Sequence, residues 1–159
     1  QQVNGLLKNP QDISKAVTQL QAENASLKKE LNELKKLKSQ ILAQEAQTEI
    51  QYHNGIAFLA KAVDLDAQAI KDIAFVLGKD RDDLFLVLGS AKGDKPILSC
   101  YISKKLVNEK GMNAGEVVRE LGHYIQGGGG GQPFFATAGG KNPEGIPQAL
   151  KAAIDLIPS

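Results

Sequence analysis

The sequence predicts an α/β (α+β) fold in two parts: a long coiled-coil helix over residues 1–48, then a compact globular domain over 49–159 whose mixed β-sheet is flanked by helices. Three observations predict it. Isoleucine or leucine recurs every seven residues through the first part. Short apolar runs alternate with helix-period segments through the second. Between the last two such segments stand five consecutive glycines, Gly127–Gly131, in the stretch QGGGGGQPFFATAGGK.

From Pro10 onward Ile13, Leu20, Leu27, Leu34 and Ile41 fall at heptad position d, with Val17, Asn24, Leu31 and Lys38 at a. Neither Gly nor Pro interrupts residues 11–51, and Gln, Lys, Glu, Ala and Leu dominate, all good helix formers. Pro10 stands near the expected helix start. A helix over residues 11–47 would be roughly 55 Å long at about 1.5 Å per residue, and so narrow an apolar seam requires a partner. Glu23 and Glu30 occupy g while Lys28 and Lys35 occupy the following e, the offset that pairs between parallel strands. A buried Asn24 pair fixes register in the same arrangement. Lys38 and the neighbouring Leu37 weaken the seam toward its end. The expected partner is a second copy; an antiparallel packing onto the globular part, or onto a helix outside this sequence, is the alternative.

The heptads stop at Tyr52-His53-Asn54-Gly55, where Asn-Gly offers a turn. Residues 56–63 read as a strand. Asp66 can cap a helix with Ile70, Ile73, Ala74 and Leu77 inward and Gly78 at its end. Leu84–Leu88 suits a buried strand, Gly93-Asp94-Lys95-Pro96 a turn, and Ile97–Ile102 the returning arm of a hairpin. Asn113 and Glu116 resemble a capping box for a helix with Ala114, Val117, Val118, Leu121 and Ile125 on one face. That helix runs into the glycines, which read as a loop; Phe134–Ala138 is the last strand. Asn142, Pro143 and Glu144 start a terminal helix with Ile146, Leu150, Ala153, Ile154 and Ile157 inward, stopped by Pro158.

A net charge of +1 excludes a global electrostatic attraction to nucleic acid, and a single cysteine excludes an internal disulfide. Within the globular part the charge is uneven. Residues 49–83 carry seven acids and four bases; residues 84–141 reverse this, with Lys92, Lys95, Lys104, Lys105, Lys110, Arg119 and Lys141 against Asp94, Glu109, Glu116 and Glu120. The bases share the half that holds the glycines. No apolar run reaches about 18 residues and no signal pattern opens the chain, so a soluble, cytoplasmic protein with no membrane partner is expected. The only methionine is Met112 and the sequence begins Gln1-Gln2-Val3, as expected of a piece of a longer protein.

Little chemistry is on offer. His53, Cys100 and His123 lie in three separate elements without metal-ligand spacing; Cys100 reads as a small core residue, His123 as a helix-end residue and His53 as a turn residue. The glycine run lacks the Lys-Ser/Thr of a phosphate-binding loop, and its order of helix, glycines, strand is the reverse of a dinucleotide fingerprint. Glycines remain useful for positive φ, for an anion-binding nest of backbone amides, or for close approach to another backbone; a solvated turn is the bland alternative.

The stretches NGIAFLAKAVDLDAQAIKD (54–72), ISKKLVNEKGMNAGEVVRELGHYIQ (102–126) and GGGGGQPFFATAGGKNPEGIPQAL (127–150) resemble the C-terminal domain of alanyl-tRNA synthetases, whose globular DHH-associated part is shared with nucleases and phosphoesterases. The resemblance implies a module that binds the outer corner (the elbow) of tRNA and dimerises through its helical part. It would help the parent's aminoacylation and editing domains act on one tRNA. Ligation of alanine with ATP and Mg2+, and editing at a Zn2+ site, would belong to those other domains, so this chain needs no cofactor and is not expected to be an enzyme. The implied tRNA surface comprises Gly127, Gly128, Gly129, Gly130, Gly131, Gln132, Gly139, Gly140 and Lys141, with the nearby bases Arg119, Lys104 and Lys105. The implied dimer seam comprises Ile13, Val17, Leu20, Asn24, Leu27, Leu31, Leu34 and Ile41. Two positions depart from the family pattern: Gln132 stands where Arg is usual, and Phe134 where Asp is usual. Loss of the Arg shifts phosphate binding toward backbone amides and lysines. Two alternatives stand beside this reading: the nucleic-acid-binding domain of a DHH-type phosphoesterase, and a purely structural oligomerisation module.

Overall fold

A computed structural model describes residues 2–8 and 11–159; Pro10, the expected helix start, lies outside them. Contacts divide the chain into two compact units, Gln1–Lys38 and Ser39–Ser159. A short helix α1 (Gln2–Leu6) precedes the long helix α2 (Ile13–Glu49). Asp12 caps α2: its carboxylate accepts from the Lys15 amide at 3.1 Å. The heptad side chains stay open to solvent along α2, with Leu20 54%, Leu27 65%, Leu34 63% and Ile41 49% exposed.

The contact boundary falls about ten residues before the end of the heptads, because the last turns of α2 carry a second face. Ser39, Ala43 and Ala46 are buried there while Ile41 remains open. Small residues at i, i+4 and i+7 let this part of the helix lie close against the globular core without using the heptad seam.

In the second unit, strands β1 (Gln51–His53), β2 (Ile56–Ala62), β3 (Leu84–Ser90), β4 (Ile97–Ile102), β5 (Gly128–Gln132) and β6 (Phe135–Gly139) form one sheet in the order β1-β2-β3-β4-β6-β5. Asn54 and Gly55 both take positive φ, 52° and 78°, as a two-residue turn between β1 and β2 requires. Only β2–β3 is parallel, joined by helix α3 (Ala67–Gly78); the other pairs are antiparallel. Asp66 caps α3 through the Ala69 amide at 2.8 Å.

Period-2 alternation divides the strands between two cores. Phe85, Val87, Leu98, Cys100, Ala136 and Ala138 face helices α5 (Ala114–Gly122) and α6 (Ile146–Ala152). Leu84, Leu86 and Leu88 face α3 and the end of α2 through Ile70, Ile73, Leu77, Ala43 and Ala46. Full burial of such aliphatic side chains stabilises by about 1.5–3 kcal/mol each. Cys100 is wholly buried, and burial pushes its thiol well above the usual range, which suits a core residue and not a nucleophile.

The mixed sheet, the flanking helices and the long leading helix match the sequence reading, and several details differ from it. The glycine run is strand β5 and not a loop. Helix α4 (Lys104–Lys110), closed by Gly111 at φ 65°, and strand β1 add elements that the apolar periodicity did not show. Gly78 ends α3 without a left-handed cap, since Lys79 stays right-handed. Its reason is space: a Cβ there would lie 2.2 Å from the Tyr101 ring. At the C-terminus the chain tightens to a 3-10 turn over Ala153–Leu156, whose threefold period rotates Ile154 outward to 41% exposure while Ala149 fills the core.

Candidate nucleic-acid interface

Glycine has poor strand propensity, so β5 exists because its neighbours hold it. Helix α5, capped by the Asn113 side chain on the Gly115 amide at 2.9 Å, and the 3-10 turn His123–Ile125 that continues it are fixed to the two ends of the β5–β6 hairpin. At the turn, the Ala114 amide donates to the Pro133 carbonyl at 2.8 Å. At the open end, the Ile125 carbonyl accepts from the amides of Lys141 and Asn142, both at 2.9 Å. The left-handed residue that turns the chain into the strand is Gln126, φ 52°, and not one of the glycines.

The glycines divide into two kinds by what a Cβ would meet. At Gly127, Gly129 and Gly131 it would lie 1.9 Å from the Gly139 carbonyl oxygen, 2.0 Å from that of Thr137 and 2.6 Å from that of Phe135. At Gly140 it would lie 2.1 Å from the Ile125 oxygen. These four are required because backbone packs on backbone. Helix α5 meets the same strand through its own small residues: a Cβ on Gly122 would approach the Gly127 oxygen to 3.2 Å. At Gly128, Gly130 and Gly139, nothing lies within 4 Å.

The three open glycines form one patch. Gly128 pairs with Gly139, and Gly130 pairs with Thr137, so all lie on the same face of the hairpin. Gly128 and Gly139 are exposed. Strand β5 ends the sheet, and its outward edge pairs with no strand among the described residues. Protein edges of this kind are usually blunted by charge, proline or cover. Here a strand free of side chains offers amide donors and carbonyl acceptors directly. Each glycine costs roughly 0.5–1 kcal/mol relative to alanine in a strand, and packing returns nothing for these three.

The basic residues are not gathered evenly around the patch. Lys141 follows Gly140 at the open end, where the Gly140 amide donates to the Pro96 carbonyl and brings the Lys95 turn alongside. Lys104 stands at the other end: it shares a cleft with Pro133 and Phe134 of the hairpin turn. Gln132 is exposed opposite Phe135. Arg119 is exposed on α5, the helix that packs on β5. Lys105 turns away to a different cleft, with Gln40, Gln44 and Asp80–Asp83. Side chains that the sequence did not single out complete the same sheet face. Phe135 packs on Phe75 of α3, and Phe75 on Tyr101 of β4, at centroid distances of 5.5 Å each. Among the described residues no group of three His, Cys, Asp or Glu is placed to hold a metal ion.

The model of the DHHA1 domain family matches residues 55–159, which include every strand but β1 and the whole glycine hairpin. The chain belongs to the DHHA1 domain family. Among curated relatives, the alanine–tRNA ligase of Christiangramia forsetii is 53% identical over 99% of this chain, and that of Flavobacterium psychrophilum 47% identical over 98%. The chain spans only 18% of the length of each. Among solved structures, the C-Ala domain of the alanyl-tRNA synthetase of Aquifex aeolicus superimposes with a TM-score of 0.61 at 27% identity, covering 67% of this chain and 96% of that one. The likeness to the C-terminal domain of alanyl-tRNA synthetases, carried at first by the glycine motif, thus extends through the fold. The DHHA1 domain here contains no helix long and apolar enough to cross a membrane among its described residues.

Proposed function

We propose that this chain is the C-terminal part of a cytoplasmic alanine–tRNA ligase and serves it as a non-catalytic RNA-binding and dimerising module. Its globular unit takes the tRNA elbow on the open face and edge of β5. The helix α2 pairs with a second copy, and the module helps the parent's ligation and editing domains act on one tRNA.

The observation that carries the RNA reading is the patch of Gly128, Gly130 and Gly139. The fold has no steric need of glycine at these positions, yet all three are kept free of side chains, Gly128 and Gly130 on the edge strand β5 and Gly139 beside them on its partner β6. A phosphate–sugar backbone, or the flat outer base pair of a folded RNA, can approach such a surface to hydrogen-bond distance of its amides. Lys141 at one end and Lys104 at the other supply charge along a strand of five residues, about 16 Å at roughly 3.3 Å per residue. With Gln132 in place of the usual Arg, direct guanidinium–phosphate pairing is replaced by weaker neutral contacts.

The test is binding of the whole chain to a tRNA transcript and to a DNA duplex of matched size over a salt series. Few lysines flank the patch, so log K is expected to fall with log salt at a slope of about −2 to −3, near 0.9 per phosphate neutralised, and tRNA should be preferred over the duplex. Undetectable or salt-insensitive binding at micromolar protein would contradict the RNA reading and leave a structural module.

A further inference from the structure

Helix α3 presents two apolar side chains away from its core face: Phe75 is 39% and Val76 48% exposed. The inward face is already supplied by Ile70, Ile73, Ala74 and Leu77, so neither is needed there. Phe75 is instead the outermost ring of a three-ring cluster drawn from three elements. It meets Tyr101 edge-on at 76° and Phe135 at 45°. The cluster is built into the fold: the Tyr101 hydroxyl donates to the Gly78 carbonyl at 3.3 Å, and only a glycine at 78 leaves space for that ring.

Cations surround it. The Lys71 ammonium lies 5.8 Å from the Phe135 ring centroid. A cleft of about 590 Å3 opens over Phe75 and Tyr101, lined also by Lys79, Lys104 and Asp82, and by Arg81, whose guanidinium is itself paired with Asp83 at 3.8 Å and donates to the Tyr52 hydroxyl at 3.3 Å. That volume lies within the roughly 300–1,000 Å3 of small-ligand clefts. Phe135 pairs with Gln132 and shares a sheet face with Thr137, the partner of Gly130. The rings therefore continue the glycine patch across the sheet without a break in the face.

We infer that the Phe75–Tyr101–Phe135 cluster is a stacking site for an unpaired RNA base next to the phosphate backbone held at β5. This rests on the RNA reading above and adds a base-binding subsite to it. Aromatic faces flanked by lysines accept any base, since each base offers a π-face, while the lysines hold the adjoining phosphates. An apolar protein segment would gain nothing from Lys71, Lys79 and Lys104 around the rings; an RNA strand would.

The experiment compares the unaltered chain with Phe75→Leu, which keeps apolar bulk but removes the outer ring, on a tRNA transcript and on a fully paired RNA duplex. Phe75→Leu should weaken tRNA binding about tenfold, within the range for loss of one stacked base, with an unchanged salt slope and unchanged affinity for the duplex. Lys71→Gln should instead flatten the salt slope, by about 0.9 if its phosphate contact is lost. On the unaltered chain, 2-aminopurine placed in turn at unpaired loop positions of the transcript should be quenched at one of them on binding. Unchanged tRNA affinity in a folded Phe75→Leu chain, or no quenching at any position while the unaltered chain binds tRNA, would overturn the stacking site and leave the glycine surface standing. No tRNA binding by the unaltered chain would overturn both.

Discussion

Gly129→Val is expected to unfold the β5–β6 hairpin, while Gly130→Ala, one residue away, is expected to leave the domain slightly more stable. A Cβ on Gly129 would sit 2.0 Å from the Thr137 carbonyl oxygen and 2.4 Å from the Ala138 Cα, so neither rotamer choice nor side-chain movement can relieve it. The strand must leave its pairing with β6, which also disturbs the Ala136 and Ala138 wall of the core under α5. Overpacking of a tight site costs typically 1–3 kcal/mol, and displacement of paired backbone places this variant at about 3 kcal/mol or more. For a domain of this size that lowers Tm by about 12 °C, at about 4 °C per kcal/mol. Gly130 meets nothing within 4 Å, so alanine there removes only chain entropy from the unfolded state, a gain of roughly 0.5 kcal/mol. Thermal melts of the two variants read the difference, and similar melting of both would show that the two kinds of glycine are not distinct.

Replacing Leu27 and Leu34 by Glu should abolish self-association. In the single chain both side chains stand 65% and 63% exposed, on a helix of 37 residues whose other heptad leucines and isoleucines are also open. Such a helix is marginal alone and becomes stable when the seam is covered. In a two-stranded coil two d layers bury four leucines, worth about 6 kcal/mol or more at about 1.5–3 kcal/mol each, and the glutamates would add repulsion across the seam. Light scattering should give a dimer for the unaltered chain and a monomer for the variant, with the melting of the globular unit kept. Because Ala43 and Ala46 dock the end of α2 through a different face from Leu34 and Ile41, the substitutions leave that packing alone. A monomeric unaltered chain would contradict the dimer.

Where local pattern and final environment agree, the sequence was readable. The heptads gave α2, Asp66 and the 70/73/74/77 face gave α3, and Asn113 with its apolar face gave α5. The glycine strand was unreadable as a strand, because glycine has no side chain to alternate and low strand propensity. Its pairing is imposed by β6, by α5 and by the Ile125 and Pro133 carbonyls at its two ends. The motif could nominate Gly127–Gly131, Gly139 and Gly140 together, but dividing them into packed and open positions needs the neighbouring backbone. The aromatic cluster was hidden for another reason: Phe75, Tyr101 and Phe135 come from three elements brought together only by the sheet order. The surplus apolar residue at Phe75, off the helical face, was the one signal that pointed there. Lys105 stands beside Lys104 in sequence, but adjacent helical residues point about 100° apart, and the two side chains line different clefts.

The most direct measurement of the central claim is tRNA affinity of a chain carrying Gly128→Val and Gly130→Val together, beside its thermal melt. A Cβ at either position meets nothing within 4 Å, and the nearest cross-strand side chain is that of Thr137, so the fold is expected to melt within a few degrees of the unaltered chain. Affinity for tRNA should fall by tenfold or more, about 1.4 kcal/mol, because two branched side chains hold the RNA off the β5 amides. Equal affinity in a chain that melts normally would contradict the assignment of this glycine face to RNA.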